Sequence, residues 1–255
     1  MTSPSPFGCF FLDTNIILSD ILKENTPRIE KLKKDSSFHG ISCYITDSIE
    51  KESYEKVQQT SDFLGSTVRE TIRYYMLESR KKRGIPLADP ITSDDVKTLE
   101  DLFAAYHDAI RTYRLGLSSP VSLIEEWAVS FLGNKIDQRV SITINQFLIE
   151  LVKTLLKLIS SLEDSYDDLV KYQRGFVKVR NITLDSRIVS SVKNLDIHKP
   201  DCDHIAGALI HQTSTGEKTV FVTLDFRSIL TKRCVIVAQL GLECCGPLYA
   251  VHHLV

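Results

Sequence analysis

The sequence predicts an α/β protein, a parallel-sheet α/β/α sandwich with helices on both faces of the sheet. Apolar runs near the two ends of the chain, FFL at 10–12 and VFV at 220–222, are typical of strands buried on both faces. Strand and helix patterns alternate at both ends, which implies parallel strands joined by helices. The pattern between them is almost entirely helical. We therefore expect one sheet formed by both ends, with a large all-helical insertion between its second and third strands.

The first strand, predicted over 7–12, ends at Asp13, and a helix over 14–23 follows. Thr14 and Asn15 suit the start of this helix because short polar side chains accept its free backbone N–H groups. A carboxylate at the C-terminal end of a buried strand lies where open α/β sheets build their sites. Asp13 is therefore a candidate site residue, although capping of the helix would also explain it.

A second strand over 40–46 precedes a long helix, predicted to run from about 48 to 80. Asp47 and Glu50 have the spacing of a capping box, in which Asp47 caps the helix. Glu52 lies in the first turn of the same helix. Because the capping box explains Glu50, Glu52 is the better candidate for a site.

The central block contains amphipathic helices over 94–116 and 122–133, and a longer one within 141–172. Leucines recur at heptad spacing in the longest helix, and neighbouring apolar residues widen the stripe. This pattern favours packing in a helical bundle over a cofactor or partner groove. A loop over 80–90, rich in Gly and Pro, begins with the basic run RKKR.

Alternation of strands and helices returns after Gly175. The predicted elements are a strand over 176–182, helices over 184–195 and 198–212, and a strand over 218–225 that ends in Asp225. A last helix stops at Gly241, before a short edge strand. The predicted organisation is a discontinuous sheet domain, 1–60 with 176–255, and a helical insertion, 61–175.

Composition excludes several classes of protein. The formal net charge of −2 and pI near 6.4 give no global nucleic-acid signature, so a polyanion would meet a local basic patch or a bound metal. The six cysteines show no C-x-x-C spacing, which favours a reducing compartment over a disulfide framework. We see no signal peptide and no apolar run of about 18 residues, so we expect a cytoplasmic protein without a membrane partner.

Four carboxylates occupy comparable positions in the predicted fold. Asp13 and Asp225 end buried strands, while Glu52 and Asp201 lie in the first turns of helices next to strands. In a parallel sheet all four positions face the same C-terminal edge. Clustered carboxylates repel one another, and hard divalent cations with oxygen ligands, such as Mg²⁺ or Mn²⁺, are the usual compensation. Such ions activate water and stabilise in-line attack on phosphorus.

At these positions the chain resembles the PIN-domain nucleases. The motifs that carry the resemblance are FLDTN, the T-x-x-I-x-x-E that ends in Glu52, the D-x-x-H-I-A-x-A-L that begins at Asp201, and VFVTLD. The resemblance implies a small α/β sandwich whose four acids, Asp13, Glu52, Asp201 and Asp225, bind Mg²⁺ or Mn²⁺. It further implies hydrolysis of RNA, and sometimes DNA, to 5′-phosphate and 3′-hydroxyl products. Asn15 and Thr223 match the family's polar residues that orient these carboxylates.

The chain departs from the family in its spacing. Glu52 and Asp201 are 149 positions apart, whereas a compact PIN domain connects the corresponding acids through one or two helices. The family's bacterial toxin ribonucleases are of the compact form, so toxin identity is not implied. Three roles stay open for the insertion: clamping substrate, binding a protein partner or a second copy of the chain, and shielding the site.

Neighbouring polar residues are weaker candidates. Asp203 could serve as an auxiliary ligand, although a solvated acid at a helix start explains it as well. His204 falls on the apolar side of its helix and is interpreted as a packed histidine. Substrate phosphates need Lys or Arg, and the candidates are Lys199 and the basic run Lys81, Lys82 and Arg83.

Other functions fit the residues less well. Aspartyl phosphotransferases place a second acid two positions after the nucleophile, and here that position is Asn15. P-loop and dinucleotide fingerprints are absent, and no zinc-ligand spacing occurs. The sequence thus predicts a metal-dependent endoribonuclease whose partner is nucleic acid, RNA in preference to DNA. The alternative is a catalytically silent PIN fold that binds nucleic acid or protein through its insertion.

Overall fold

The computed structural model describes residues 8–23, 26–73, 80–113 and 118–253. One five-stranded sheet organises the described residues, with the order β3-β2-β1-β4-β5 and every neighbouring pair parallel. Its strands are β1 (Cys9–Leu12), β2 (Ser42–Thr46), β3 (Val177–Arg180), β4 (Thr219–Val222) and β5 (Glu243–Cys245). The predicted α/β class and parallel sheet are thereby confirmed.

Helices account for most of the remaining described residues. They are α1 (Thr14–Ile21), α2 (Thr26–His39), α3 (Asp47–Thr71), the single turn α4 (Arg80–Arg83), α5 (Ser93–Tyr113), α6 (Ser118–Asp137), α7 (Ile144–Tyr166), α8 (Ser186–Lys193), α9 (Lys199–Thr215) and α10 (Arg233–Leu240). A π-helical turn, Asp167–Lys171, follows α7, and a 3₁₀ turn, Leu230–Lys232, precedes α10. Among the described residues every helix is too short or too polar to cross a lipid bilayer.

The central strands are buried on both faces, as continuous apolar runs predict. Every residue of β1 and β4 is buried. On one face Phe11, Tyr44 and Phe221 join a core with apolar residues of α8, α9 and α10. The short strand β5 forms an edge of the sheet, where the sequence places it.

The strand order locates the crevice of the sheet. From β1 the chain proceeds to β2 and β3 on one side, and later returns to β4 on the other side of β1. In open α/β sheets ligands bind outside the carboxyl ends of the strands, at the point where the order reverses. Here that point is the C-terminal end of β1 and β4.

The chain divides into two compact units, Met1–Val57 with Asp164–Val255, and Gln58–Glu163. The sheet belongs to the first unit. The second unit has its own buried residues, including Leu99, Phe103 and Phe147, and Trp127 stacks on Phe147 within it. The boundaries predicted from the sequence, 60/61 and 175/176, stay predictions.

Several local expectations differ from the structure. Helix α3 begins one residue earlier than expected, and its cap is Thr46: Thr46 Oγ1 accepts a hydrogen bond from Ile49 N at 3.3 Å. The predicted capping role of Asp47 is therefore wrong. Strand β4 ends at Val222, so Asp225 lies in the following loop and not on the strand. The predicted loop 80–90 opens with the helical turn α4, and the predicted ends of the helices at 80 and 116 involve residues 74–79 and 114–117, outside the described residues.

Candidate metal centre

Asp13 is the centre of a hydrogen-bond network at the C-terminal end of β1. It is the N-cap residue of α1, and its side chain is buried. Its Oδ1 accepts the Thr14 backbone N–H at 2.8 Å, while its Oδ2 accepts Asn15 Nδ2 at 2.6 Å and Thr223 Oγ1 at 2.7 Å. Capping thus accounts for only one of its contacts, because two further donors fix the carboxylate.

Asn15 and Thr223 connect the ends of the two central strands. Asn15 Nδ2 also donates to Thr223 Oγ1 at 3.0 Å, and Asn15 Oδ1 accepts Leu224 N at 2.8 Å. Thr223 Oγ1 accepts Asp225 N at 2.9 Å. Both side chains therefore orient Asp13 and the loop that carries Asp225.

Glu52 reaches this network from the first two turns of α3. Thr14 Oγ1 donates to Glu52 Oε2 at 2.7 Å, and Thr14 N contacts Asp13, so one residue holds both carboxylates. The cap at Thr46 starts α3 in the register that turns Ile49 and Glu52, three residues apart, to the same side. The neighbouring acid Glu50 contributes its backbone oxygen to Tyr166 Oη, 3.4 Å away.

Ser228 joins the remaining two acids. Its backbone N–H donates to Asp225 Oδ1 at 2.8 Å, and its hydroxyl donates to Asp201 Oδ2 at 3.3 Å. Asp201 lies in the first turn of α9 and Asp225 follows β4. The structure thus brings all four predicted acids into one connected cluster, at the crevice that the strand order defines.

His204 lies inside the cluster. Its ring is buried, as the sequence predicts, but both ring nitrogens face acids: Nδ1 is 3.3 Å from Asp13 Oδ1 and Nε2 is 3.3 Å from Glu52 Oε2. One ligand atom each of Asp13, Asp201 and His204 lie within 4.8 Å of one another. The interpretation of His204 as a merely packed histidine therefore misses its charged partners.

Burial and neighbouring charges shift the pKa values of two side chains of the site. Burial raises the pKa of Asp201 to about 6, and the carboxylates of Asp13 and Asp225 add to the rise. Burial by itself lowers the pKa of His204, but the hydrogen bond and charge of Asp13, with the charges of Glu52 and Asp201, outweigh it and raise the pKa. The imidazolium of His204 is thus stabilised as a counter-charge to the acids.

The weaker candidates lie outside this network. Asp203 follows Asp201 by two positions, a spacing that points two side chains to different sides of a helix, and the hydrogen bonds described above for the four acids do not include it. Lys199 is exposed at the start of α9, two positions before Asp201. Lys81, Lys82 and Arg83 belong to the second unit, where Arg83 Nη2 is 3.3 Å from Asp95 Oδ1.

Sequence reasoning does not identify Ser228, or the contacts of Thr14 and His204, as parts of the site. For His204 and Ser228, the spacing in the sequence gives a signal. His204 follows Asp201 by three positions, which places both on one side of a helix. Ser228 follows Asp225 by three positions, a spacing at which an acid can accept a backbone N–H in a turn.

No protein-family model, curated protein or solved structure matches this chain. The chemistry of the site follows from its own side chains. Carboxylate oxygens from four separate segments converge there, and they are the ligands that hard divalent cations prefer. His204 is the one cationic partner among the contacts described for the four acids. The donor set and its charge fit Mg²⁺ or Mn²⁺.

Proposed function

We propose that this protein is a metal-dependent nuclease of the PIN-like kind, acting on RNA as an endoribonuclease. The observation that carries the proposal is the connected cluster of Asp13, Glu52, Asp201 and Asp225 at the reversal point of the sheet. Such a cluster has little purpose in stabilising a fold, because like charges in a partly buried site oppose folding. It is suited to holding a cation.

The side chains of the site have different proposed roles. Asp13 would hold Mg²⁺ or Mn²⁺ with Glu52, Asp201 and Asp225. When bound, such an ion supplies Lewis-acid chemistry, which makes water a better nucleophile and stabilises charge on phosphate oxygens. Asn15 and Thr223 keep the carboxylate of Asp13 in one orientation through their bonds to Oδ2. His204 holds positive charge between Asp13 and Glu52.

Substrate contacts are proposed for exposed bases. Lys199 is exposed in the first turn of α9, the turn that also carries Asp201, and its ammonium group is proposed to bind a substrate phosphate. Lys81, Lys82 and Arg83, which belong to the second unit, are also proposed to bind substrate phosphates, with RNA as the preferred nucleic acid. Cleavage to 5′-phosphate and 3′-hydroxyl ends is the outcome that the resemblance to PIN-domain nucleases implies.

The proposal is tested with two acids on one helix. Glu52→Gln removes a proposed ligand, while Glu50→Gln makes the same chemical change two positions away, so it is the matched control. We expect Glu52→Gln and Asp13→Asn to lower Mn²⁺-dependent cleavage of a fluorescent single-stranded RNA at least about a hundredfold, and Glu50→Gln to keep it. Equal cleavage by wild type and Glu52→Gln would show that the proposed site is wrong.

One observation supports a second candidate function, a catalytically silent fold that binds nucleic acid or protein. Asp13 accepts three hydrogen bonds in addition to its contact with His204, so its lone pairs are used before any ion arrives. If the wild type cleaves no RNA or DNA with either ion, yet retains a labelled RNA on a filter, this second function replaces the first.

A further inference from the structure

A second group of potential ligands lies on the same unit, away from the four acids. One ligand atom each of Cys9, His211 and Glu217 lie within 4.8 Å of one another. Cys9 and His211 are buried and Glu217 is half-buried. His211 Nε2 is 3.1 Å from Glu217 Oε2. A thiol, an imidazole and a carboxylate thus converge at the start of β1.

The backbone positions these three side chains through several independent contacts. Helix α9 carries His211 in its last turns and ends at Thr215. Gly216 caps it with a left-handed φ of 70°, which turns the chain toward β4. Glu217 then lies between two anchors, since its N–H donates to Thr215 Oγ1 at 3.1 Å and its carbonyl accepts Thr219 Oγ1 at 3.0 Å. At Gly8 the chain approaches Lys218 so closely that a Cβ would lie 1.6 Å from the Lys218 carbonyl oxygen.

The donor set is that of a borderline-soft ion. Zn²⁺ takes sulfur, imidazole nitrogen and carboxylate oxygen together, whereas Mg²⁺ and Ca²⁺ take oxygen. We propose that Cys9, His211 and Glu217 bind a Zn²⁺ ion, with water as the fourth ligand. The ligands come from β1, α9 and the loop before β4. A bound ion would therefore link strand β1, helix α9 and the start of strand β4.

The distances are compatible with this assignment. Tetrahedral Zn²⁺ places a nitrogen and an oxygen ligand about 3.3 Å apart, and a sulfur and a nitrogen ligand about 3.6 Å apart. The His211–Glu217 pair is already at 3.1 Å, and the separations from the sulfur need to contract by at most about 1.2 Å. Thr219 Oγ1 lies 3.5 Å from Cys9 Sγ and donates its hydrogen to the Glu217 carbonyl oxygen, so it is in contact with two of the three residues.

An entry path exists. His211 and Glu217 line a pocket of about 450 Å³ whose other walls include Arg180 and Ile210. Arg180 lies over the ring of Tyr44. The pocket gives solvent and ions access to His211 and Glu217, while Cys9 is fully buried.

The same trio is poorly suited to act as a cysteine nucleophile. Burial raises the pKa of Cys9 to about 12, with the charge of Glu217 adding to it, so the thiol stays protonated at neutral pH. A bound Zn²⁺ reverses this preference, because a coordinating thiol loses its proton to solvent.

The proposed zinc site is distinct from the candidate metal centre. His204 and His211 are seven positions apart on α9, which is about 10 Å along a helix. The contacts described for the candidate metal centre include carboxylates, hydroxyls, an amide and an imidazole but no thiol, so a sulfur ligand distinguishes the two sites. The zinc proposal does not depend on nuclease activity.

Cobalt substitution tests the proposal on the full chain. Protein stripped with a chelator is titrated with Co²⁺, in a Cys234→Ser background because Cys234 is an exposed thiol. We expect a near-ultraviolet thiolate-to-cobalt charge-transfer band that Zn²⁺ displaces. Cys9→Ser should abolish this band, while Cys245→Ser, a change at another buried thiol, and Asp13→Asn should keep it.

Glu217→Gln provides a second, milder variant. It keeps the thiol and changes only a half-buried carboxylate, so folding should survive even if Cys9→Ser unfolds the protein. We expect its affinity for Co²⁺ at the thiolate site to fall about tenfold or more. Absence of the band in the parent protein, its persistence in Cys9→Ser, or unchanged affinity in Glu217→Gln would each overturn the proposal.

Discussion

The four acids of the candidate metal centre differ in how well the protein accommodates their charge. Asp13 accepts hydrogen bonds from Thr14, Asn15 and Thr223, and it faces the ring of His204. Asp201 accepts one hydroxyl, from Ser228, and its pKa is raised by burial and by neighbouring acids. Relief of repulsion alone predicts that Asp13→Asn leaves the metal-free fold as stable or steadier. The contacts of Asp13 predict the opposite, a loss of stability. The N–H₂ group of the new asparagine would face N–H and O–H donors and could not accept their hydrogen bonds.

Asp201 is the position at which removing charge should stabilise the metal-free protein. Its folded pKa of about 6 exceeds the ordinary 3.8, so between these values the folded state binds more protons than the unfolded state. Its stabilising contribution is therefore complete below about pH 4 and lost as the pH rises through about 6. We expect Asp201→Asn to be more stable than wild type by about 1–2 kcal/mol at pH 7, after allowance for partial exposure, with no difference near pH 4.

Urea unfolding of both proteins across this pH range, with chelator present, measures the difference. The raised pKa of His204 weakens the fold in the same direction as the pH rises, and part of that rise in pKa comes from the charge of Asp201. Comparison with wild type therefore reports the effect of Asp201 together with its coupling to His204. A variant less stable than wild type at pH 7 would contradict the charge crowding inferred for the site.

The sequence predicts the acids of the site better than their partners, for a physical reason. Asp13 and Asp201 are visible because each lies at the boundary of a strand or helix pattern. Partners such as Ser228 are ordinary polar residues until the fold brings them to an acid. The cluster of Cys9, His211 and Glu217 is not predictable from the sequence, because Cys9 is about 200 positions from the other two and no local spacing connects them.

At the scale of elements, Gly207 marks a close contact between α9 and the C-terminal end of β2. A Cβ at this position would lie 2.5 Å from Cγ2 of Thr46, the residue that caps α3. Gly207→Ala should therefore destabilise the protein by about 2 kcal/mol, since one of the two elements must shift. Thr46→Ser removes the methyl group but keeps the capping hydroxyl, so it should recover much of the loss in the double variant.

Urea unfolding of both single variants and the double variant gives the coupling between the two positions. Gly65→Ala is the matched control, because Gly65 is also helical but a Cβ placed there meets no described atom within 4 Å outside its own helical turn. There we expect a gain of about 0.5–1 kcal/mol from helix propensity. Additive effects of Gly207→Ala and Thr46→Ser would exclude the proposed close packing of α9 on Thr46.

The type of an element can be predicted where a continuous apolar run has to be buried. The residue at which an element begins or ends is harder to predict. Strands β1 and β4 follow from such runs. The predicted end of β4 is three residues too late because Thr223 and Leu224 continue the apolar, β-prone pattern. The Thr223 N–H still bonds to Cys245 O of β5, but the Leu224 N–H bonds to the Asn15 side chain and no longer to the sheet. The sequence pattern assigns the cap of α3 to Asp47 because it fits a capping box, whereas Thr46 makes the bond.

At the scale of the whole molecule, every described contact of the candidate metal centre is made within the first unit. The second unit, Gln58–Glu163, contributes none of the four acids, nor His204 or Ser228. Truncation of a core side chain in the second unit should therefore change stability without changing the affinity of the site, since distant positions without shared partners act additively.

Phe147 and Phe221 make this a matched comparison of two fully buried phenylalanines. Phe147 stacks on Trp127 in the second unit, while Phe221 lies on β4, two residues before Thr223. Each change to Ala should cost about 3–5 kcal/mol of stability. We expect Phe147→Ala to keep the Mn²⁺ affinity within about twofold, because it leaves Thr223 and Asp13 in place, and Phe221→Ala to weaken it about tenfold or more. Calorimetric titration with Mn²⁺ measures the affinities at a temperature where circular dichroism shows that both variants are folded. An equal loss of Mn²⁺ affinity in both variants would mean that the site depends on the whole chain.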